Sequence, residues 1–582
     1  MQNIESNKNQ LRNKLIIFVS IAVLAIHNLI FLNNFKINLP FAADWNDVFN
    51  PVFFFITEGN FTFFENKVSH VIAFPKLLSY PNFLFNSFDV GNLYYFQWII
   101  MSLTILVFYL IIKQTDKKLF WTLIPISAFV YNPLTTSAYW SLAILGWIFQ
   151  MLGITATIYF LNKKSINLQT FGGGISTAIF STFSILIGVT SWISGLLMLF
   201  QNSSKKKISN KKWIVLWIAS TVIIGLIYLK LIEGYSPPLF IEQLLSFSTY
   251  SFITNFLASS FRLKFQILLV SVGSISLIIS GIYVYYFTKQ KYLKQYFPWF
   301  VLLFTALVAS VITAIGRVGM DFHLGNDPYY STVSQLFQIG LIVLSAKIIY
   351  EFRKPPKTIR KNFIVYFLII LLITQMIMLV PSYYSGWVRA EIVFEQKQIL
   401  LNCYSLSAHI DCEKFQPFAG MLVNPQHTSK LNYLIQNNLG IFKETDFNEK
   451  NTLSLEKFET YTDNEKVFED GQITLINNND VVHENNFFLK DEFVRIDGWL
   501  LLENEKELQS IFLIINDKQF LESDNFQISD TEKEQNFIKF DWSAIFLSGY
   551  LDSGCHSLQI IGISDNEKIL LEDQINICKN EI

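Results

Sequence analysis

The sequence predicts a mainly α-helical, polytopic membrane protein of about 11 transmembrane helices, with an extracytoplasmic β-sandwich domain at its C-terminal end. Of the 582 residues, 51% are hydrophobic and the mean hydropathy is +0.35, which is above the usual range for soluble domains of this length. Residues 1–380 carry 29 Lys and Arg against 12 Asp and Glu, whereas residues 381–582 carry 16 against 34. Two regions of different character are therefore joined near Pro381.

The first predicted helix is the apolar run from Leu15 to Leu32, which follows a polar start containing Lys8 and Arg12. The run is longer than the apolar core of a signal peptide and no small-residue cleavage site follows it, so we expect a retained helix. His27 lies inside this run. We interpret it as a packed or hydrogen-bonded histidine, and the alternative is a proton carrier.

The remaining apolar runs are each about 20 residues long, the length needed to cross the hydrocarbon layer. The stretch from Gly172 to Phe200 is interrupted at Gly188 to Ser191, which predicts two short helices meeting at a break. The other runs lie near 93–112, 119–136, 139–161, 213–232, 265–287, 297–315, 331–350 and 363–380.

The distribution of basic residues predicts the orientation. With the N-terminus in the cytoplasm, the inner segments carry 22 Lys and Arg and the outer loops carry six, as the positive-inside rule requires. An odd number of crossings then places the acidic C-terminal part outside. We expect an integral protein of the plasma (inner) membrane, with outer loops at 36–92, 132–138, 233–264 and 316–330.

The acidic part divides into two predicted regions. Residues 381–464 mix aromatic and polar residues in a juxtamembrane α/mixed region, and residues 465–582 contain short alternating β-rich runs separated by turn residues, typical of a β-sandwich. All four cysteines lie beyond residue 402, which favours disulfides on the outer side, although four free thiols remain an alternative. The nearest pairings are Cys403 with Cys412 and Cys555 with Cys578.

The stretch from Phe41 to Tyr80, within the first outer loop 36–92, is the predicted active site. Asp44 and Asp47 follow the first helix, and a carboxylate held at a helix start beside the membrane suits a general base or a metal ligand. The simpler interpretation is a helix N-cap at Asp44 with Asp47 in the first turn. Further polar side chains follow at Glu65, a candidate for substrate binding, and at His70 and Lys76, candidates for phosphate binding. Lys76 has the alternative of snorkelling from an interfacial helix.

The second outer cluster is the loop from Arg317 to Tyr330. An arginine at the mouth of a helix bundle is a natural partner for a lipid phosphate. The alternative is a salt bridge between Arg317 and Asp321. Arg262, at the end of the third outer loop, is a candidate for the same anion, and Asp321, His323 and Tyr329 are candidates for substrate binding.

Several function classes lack support in the sequence. The chain has no Walker loop, no GxGxxG motif on a strand–helix unit, no HExxH and no GxSxG. ATP-driven transport and the common soluble hydrolase chemistries are therefore not expected. Nucleic-acid binding is not expected either, because the positive charge falls in short loops between apolar runs.

With these residues in view, the chain resembles the integral-membrane glycosyltransferases of the GT-C fold class, which include the protein mannosyltransferase and lipid A aminoarabinose transferase families. The resemblance covers roughly residues 1–440 and rests on Asp44 and Asp47, Gly59, and His70 with Pro75. A group of bacterial polytopic membrane proteins is similar at Gly316-Arg317 and Tyr329. Their fuller motifs are replaced here by Glu65-Asn66-Lys67 and Asp327-Pro328.

The resemblance implies transfer of a sugar from a polyprenyl-phosphate donor to an envelope glycan, lipid or protein on the outer face. It implies that Asp44 acts as the base and that Asp47 assists or binds a divalent metal, Mg²⁺ or Mn²⁺. Arg317, His70, Arg262 and Lys76 would hold the donor phosphate. Two alternatives stay open: a non-catalytic transporter or assembly factor for envelope polysaccharide or lipid, and an inactive member of the fold kept as a binding subunit.

Overall fold

The structure is a computed structural model. It describes residues 2–36, 55, 71–86, 89–137, 145–163, 165–203, 211–232, 245–263, 265–317, 325–353 and 359–407, together with the strands between residues 462 and 579. The described chain is mainly helical. It divides into two compact units, the first built from helices up to Glu391 and the second containing residues 392–582.

The helices of the first unit are α1 (Gln2–Phe35), α2 (Ala73–Asn86), α3 (Val90–Thr115), α4 (Leu123–Val130), α5 (Pro133–Ser137), α6 (Leu145–Leu161), α7 (Leu168–Thr182), α8 (Thr190–Ser203), α9 (Lys211–Leu231), α10 (Phe247–Ala258), α11 (Gln266–Lys289), α12 (Leu293–Arg317) and α13 (Ser331–Phe352). Helix α14 (Ile359–Ser407) continues into the second unit. Short 3-10 helices occupy Lys117–Thr122, Leu186–Val189 and Pro328–Tyr330.

Seven helical segments within the described residues are long and apolar enough to cross a membrane. Two shorter apolar segments, Leu145–Leu161 and Leu186–Gln201, accompany them. By length and composition the chain is therefore a membrane protein. The seven segments are Arg12–Phe35, Val90–Thr115, Lys211–Leu231, Gln266–Lys289, Leu293–Arg317, Pro328–Phe352 and Asn362–Phe394.

Helix α13 forms the centre of this unit. The most apolar 18 residues of its segment are all buried inside the protein, and α4, α6, α10, α11 and α12 pack around it. Its interior carries amide and hydroxyl side chains that bond to neighbouring helices: Ser334 Oγ donates to the Leu257 oxygen at 2.7 Å, and Gln335 Nε2 donates to Thr135 Oγ1 at 2.6 Å. Such bonds satisfy polar groups that have no water to bind.

Two apolar runs are interrupted in the structure, one of them against the prediction and one in agreement with it. The run 119–136 is divided into a 3-10 helix, α4 and α5, because Asn132 precedes Pro133 and a residue in that position disfavours the helical conformation. Pro133 then begins α5, where its missing N–H costs nothing. The predicted break in 172–200 is present between α7 and α8, with its turn at Phe183 to Val189.

Helix α14 runs through Pro381, where we expected one region to end. A proline inside a helix removes one backbone hydrogen bond. Beside it, Ser382 Oγ donates to the backbone carbonyl oxygen of Ser260 at 2.9 Å and ties this turn to the segment after α10. The helix is thereby held in place beyond the proline.

The second unit contains two β-sheets. One has the order β1-β11-β10-β12-β4, with β6 pairing β10 and β7 pairing β6, and the other has the order β3-β2-β5-β9-β8. The four β-rich runs predicted from the sequence lie on β5, β6, β9 and β10. The strands are β1 (Thr462–Val467), β2 (Asp470–Ile476), β3 (Asn479–Asp480), β4 (Asn486–Leu489), β5 (Phe493–Glu503), β6 (Leu508–Ile515), β7 (Gln519–Glu522), β8 (Asn525–Glu534), β9 (Phe537–Leu547), β10 (Gly554–Ser564), β11 (Glu567–Leu570) and β12 (Ile575–Lys579).

A disulfide joins Cys555 on β10 to Cys578 on β12, and the two residues face each other in the antiparallel register. This is one of the two pairings nearest in sequence. Cys403 lies in the part of α14 of which the backbone alone is described, and Cys412 lies outside the described residues.

Candidate functional site

The candidate site is built around Asp327, directly before α13. The backbone of Asp327 is extended, and Pro328 begins the 3-10 turn. The backbone N–H of Tyr330 donates to the backbone carbonyl oxygen of Asp327 at 3.0 Å. The Tyr329 hydroxyl donates to Asp327 Oδ2 at 2.6 Å. The carboxylate is therefore held by its own turn at the mouth of the helix bundle.

Arg262 reaches this turn from the segment after α10. Its Nη1 donates to the Asn326 oxygen at 2.9 Å. The segment itself is fixed, because the N–H of Ser260 donates to Ser334 Oγ at 3.1 Å and the ring of Phe261 packs against Phe129. Arg317 is the last residue of α12, and its charge also acts on Asp327.

Arg389 approaches Asp327 from α14 and was not among the residues predicted for the site. One turn earlier, Gly386 lets α14 come so close to α5 that an added Cβ would lie 2.3 Å from the Leu134 nitrogen. Tyr383 adds a bond from its hydroxyl to the Ala128 oxygen at 2.8 Å, and Trp387 packs on Phe31 of α1. These contacts fix the turn of α14 that carries Arg389.

Arg262, Arg317 and Arg389 around Asp327 form what we call the arginine cluster. All three guanidinium groups interact electrostatically with the Asp327 carboxylate, so among the described residues the cluster joins three positive charges to one negative charge. Arg262, Arg317 and Asp327 are half-buried, and the Arg389 side chain is exposed. An open, positively charged mouth of this kind attracts and orients an anion.

Burial shifts the pKa values of Asp327 and Arg262. It raises the pKa of Asp327 above its ordinary value, and the hydrogen bond from Tyr329 and the charges of Arg389, Arg262 and Arg317 oppose this shift only in part. Burial also lowers the pKa of Arg262, against the attraction of Asp327. Arginine nevertheless keeps its charge, because its ordinary pKa exceeds about 12.

Comparison with models of protein families, with curated proteins and with solved structures found no match.

An aromatic wall borders the arginine cluster. Trp147, near the start of α6, packs against the rings of Tyr329 and Tyr330 with centroid distances of 5.5 and 5.4 Å. Tyr330 is buried against Phe256 of α10 at 4.7 Å. Aromatic rings at such a mouth are suited to stack on a sugar or to cover an apolar chain, and they fix the position of the turn that carries Asp327.

Among the residues predicted for the site, the structure brings Arg317, Arg262 and Tyr329 together. Lys76 is 4% exposed on α2, whose first residues pack against Phe183 and Tyr228. The buried side chain of Lys76 does not match the snorkelling alternative, which requires its amine to reach water. Asp44, Asp47, Glu65, His70, Asp321 and His323 lie outside the described residues.

Arg389 had a signal in the sequence. Ser382 and Gly386 are small residues four apart, a spacing that lets membrane helices approach closely, and Arg389 follows at the next position on the same face. The predicted juxtamembrane region begins at residue 381, so the prediction gives this stretch no helical face. The spacing marks Arg389 as a candidate, but the packing that brings it to Asp327 cannot be inferred from the spacing.

A second group of buried charges lies near the other end of α13 and forms what we call the Lys347 network. Lys347 Nζ is 2.7 Å from Glu351 Oε1 and 3.6 Å from Asp116 Oδ2. The Tyr296 hydroxyl donates to Asp116 Oδ2 at 2.7 Å, and Lys347 lies 5.0 Å from the centroid of that ring. Each charge has a partner, so the network ties α3, α12 and α13 together and leaves little capacity for a ligand.

A metal site was predicted at Asp47, which lies outside the described residues. Within the part of the chain that the structure describes, no group of three His, Cys, Asp or Glu side chains is placed to hold a metal ion. The charged groups that the structure describes at the candidate site are therefore those of the arginine cluster.

Proposed function

We propose that the protein is a membrane glycosyltransferase of the GT-C type, which transfers a sugar from a polyprenyl-phosphate donor to an envelope glycan, lipid or protein on the outer face. The observation that supports this proposal is the convergence of Arg262, Arg317 and Arg389 on one carboxylate at the mouth of a membrane helix bundle. Guanidinium groups match the geometry of phosphate oxygens, and the adjacent bilayer supplies a lipid carrier.

The proposed reaction breaks the bond between the sugar carbon C1 and the phosphate oxygen. An acceptor hydroxyl attacks C1, its proton passes to Asp44, and the electron pair of the broken bond stays on the phosphate. The leaving polyprenyl phosphate therefore gains negative charge, approaching about −2 at neutral pH. Guanidinium groups placed around that oxygen stabilise the transition state more than the bound donor, which is the condition for catalysis.

The proposal includes a topology. About 11 crossings, counting the shorter helices, would place the N-terminus in the cytoplasm and the C-terminal unit outside the plasma membrane. The two sheets of that unit would form a β-sandwich that positions the acceptor. Mg²⁺ or Mn²⁺ at Asp47 would assist the attack. The arginine cluster would then lie on the side where the polyprenyl-linked sugar is used.

A second candidate function, transport or assembly of envelope polysaccharide or lipid, is supported by polar groups inside the bundle. Gln150 on α6 is fully buried, and neither atom of its amide has a hydrogen-bond partner among the described residues. Gln375 Nε2 donates to Gln338 Oε1 at 3.0 Å deep between α13 and α14. Transporters carry such groups along their path. The described charges lie near the ends of the bundle, which favours chemistry at the membrane surface.

The test is sugar transfer in membrane vesicles supplied with labelled polyprenyl-phosphate sugars. We expect Arg389→Gln to lower kcat/KM by about 10- to 100-fold, since a hydrogen bond to a charged group contributes about 1.5–3 kcal/mol. Arg353→Gln is the matched control, because Arg353 is exposed at the other end of α13. Asp44→Asn and Asp47→Asn should abolish transfer.

Each outcome of this assay has a clear meaning. Transfer that is lost in Arg389→Gln and kept in Arg353→Gln supports the enzyme. Absence of transfer by the wild-type protein across the donors would reject it and favour transport. Function that survives the double substitution of Asp44 and Asp47 would favour an inactive binding subunit.

A further inference from the structure

A cavity of about 330 Å³ lies between α8, α11, α12 and α13, away from the arginine cluster. Its lining is almost entirely apolar, with Phe297, Phe300 and Phe304 on α12 and Val284 on α11. Leu307 is its residue nearest to Arg317 along α12, about 15 Å away at 1.5 Å per residue. The cavity is therefore a feature separate from the proposed donor site.

The cavity opens toward the surface of the bundle that faces the membrane. Val284 and Phe304 line it and are nevertheless 48% and 45% exposed. Both belong to segments that are long and apolar enough to cross a membrane. Its lining extends along α12 from Leu293 to Leu307, about 21 Å, which is at least the depth of one leaflet of a hydrocarbon layer about 30 Å thick. An acyl chain has this length and chemistry.

Positive charge lies beside the end of the cavity that contains Leu293. Lys289 ends α11, Lys291 lies in the turn, and Lys294 is adjacent to Leu293 at the start of α12. All three side chains are exposed. Two described acidic groups at this end of the bundle, Asp116 and Glu351, are both paired with Lys347. The turn therefore presents net positive charge at the level where a lipid headgroup would lie.

We propose that this cavity and the adjacent lysines form a binding site for an anionic glycerophospholipid. One acyl chain lies in the cavity and the headgroup phosphate lies at Lys289, Lys291 and Lys294. The site lies in the leaflet that contains the end of α11, and it is independent of the proposed transferase activity. A bound lipid there fills the space between α11 and α12 and supports the packing of α13.

Glycine positions offer a variant that fills the cavity and a matched control. Gly281 lines the cavity, and a Cβ added there meets no atom within 4 Å, so Gly281→Leu places a side chain in the space of the lipid chain. Gly225 on α9 is open in the same way and does not line the cavity. Gly225→Leu therefore makes the same change in helix propensity without blocking the site.

Charge variants test the headgroup contact separately. Lys289→Gln with Lys294→Gln removes two of the charges, and Lys211→Gln with Lys212→Gln is the control pair, exposed at the start of α9. Each pair contains one lysine near an aromatic ring, Lys289 over Tyr285 and Lys212 over Trp213. Lys291 is left unchanged because its φ of 59° is left-handed and substitution there alters the turn.

The experiment measures lipid retained by the purified full chain in detergent, by native mass spectrometry, after incubation with equal amounts of phosphatidylglycerol and phosphatidylcholine. We expect the wild-type protein to retain phosphatidylglycerol about tenfold in excess, a preference lost in the Lys289/Lys294 variant and kept in the Lys211/Lys212 control. Gly281→Leu should retain neither lipid, and Gly225→Leu should match the wild type. Equal retention of both lipids by the wild-type protein, or unchanged retention by Gly281→Leu, would overturn the proposal.

Discussion

Among the residues that the structure describes, Asp327 is a carboxylate on which all three guanidinium groups of the arginine cluster act. Tyr329 holds that carboxylate by a 2.6 Å bond, so the turn keeps its geometry. At the scale of residues, the cluster is therefore preorganised for the anion that we propose it binds.

The raised pKa of Asp327 predicts how anion binding depends on pH. As pH falls toward the range in which an ordinary carboxyl group titrates, with a pKa of about 3.9, Asp327 takes up a proton at a higher pH than that group does. The cluster then gains one positive charge, so affinity for a phosphodiester, whose own charge stays constant, should rise. Asp327→Asn keeps an oxygen for Tyr329 and should bind with little pH dependence.

The measurement is the dissociation constant of a soluble dialkyl phosphate at several pH values, in wild type and Asp327→Asn. A pH dependence of equal size in both proteins would assign the titration to another group.

At the scale of elements, α14 carries Arg389 to the site because it continues past Pro381 as a helix. Local rules alone predict an interruption at a proline, and a sequence does not reveal which distant residues hold the helix beside it. Here the Ser382 hydroxyl donates to the backbone carbonyl oxygen of Ser260, which precedes it by 122 residues. In the run 119–136, by contrast, a proline does interrupt the helix. Asn132-Pro133 marks a helix boundary there, although the length of the apolar run predicts one continuous helix.

Close packing of α14 on α5 at Gly386 is expected to decide the position of Arg389. Gly386→Ala forces a Cβ against the backbone of Leu134, which should cost about 1–3 kcal/mol of stability and weaken phosphate binding. Gly225→Ala, at an open position, should do neither. Thermal unfolding and dialkyl phosphate affinity measure the two effects. An unchanged affinity in a destabilised Gly386→Ala protein would separate Arg389 from this contact.

The Lys347 network should be a strong contributor to stability. Lys347→Ala leaves Asp116 and Glu351, each with side chains 14% exposed, without their shared cation, at a cost of about 3–5 kcal/mol. Lys113→Ala, at an exposed lysine of α3, should change stability by less than about 0.5 kcal/mol. Unfolding by titration with a denaturing detergent compares them, and equal losses would show that the ion pairs contribute little.

At the scale of the whole molecule, the sequence predicted the classes of structure well. Apolar length identified the seven long segments, because spanning a bilayer requires it. Alternation identified strands such as β5 and β10, since a half-exposed sheet requires a period of two. The convergence of Arg262 and Arg389 was beyond this reasoning, because it depends on packing between helices far apart in sequence.

The disulfide between Cys555 and Cys578 tests the predicted side of the second unit. It closes a loop of 23 residues, and its loss should destabilise this unit by about 3 kcal/mol. In intact cells, a reductant that does not cross membranes should reduce this disulfide. A thiol reagent that also does not cross membranes should then label both cysteines. Labelling that occurs only after the membrane is permeabilised would reverse the predicted orientation.

We propose that the arginine cluster binds the phosphate of a lipid carrier. The most direct test is to measure the affinity of the purified protein for a short-chain polyprenyl phosphate. Arg262→Gln, Arg317→Gln and Arg389→Gln should each weaken binding by about 10- to 100-fold, while Arg353→Gln and the uncharged polyprenol serve as controls. We predict that affinity falls in all three variants and that polyprenol binds equally weakly to every protein. Polyprenyl phosphate that binds the three variants as tightly as the wild-type protein would contradict the account.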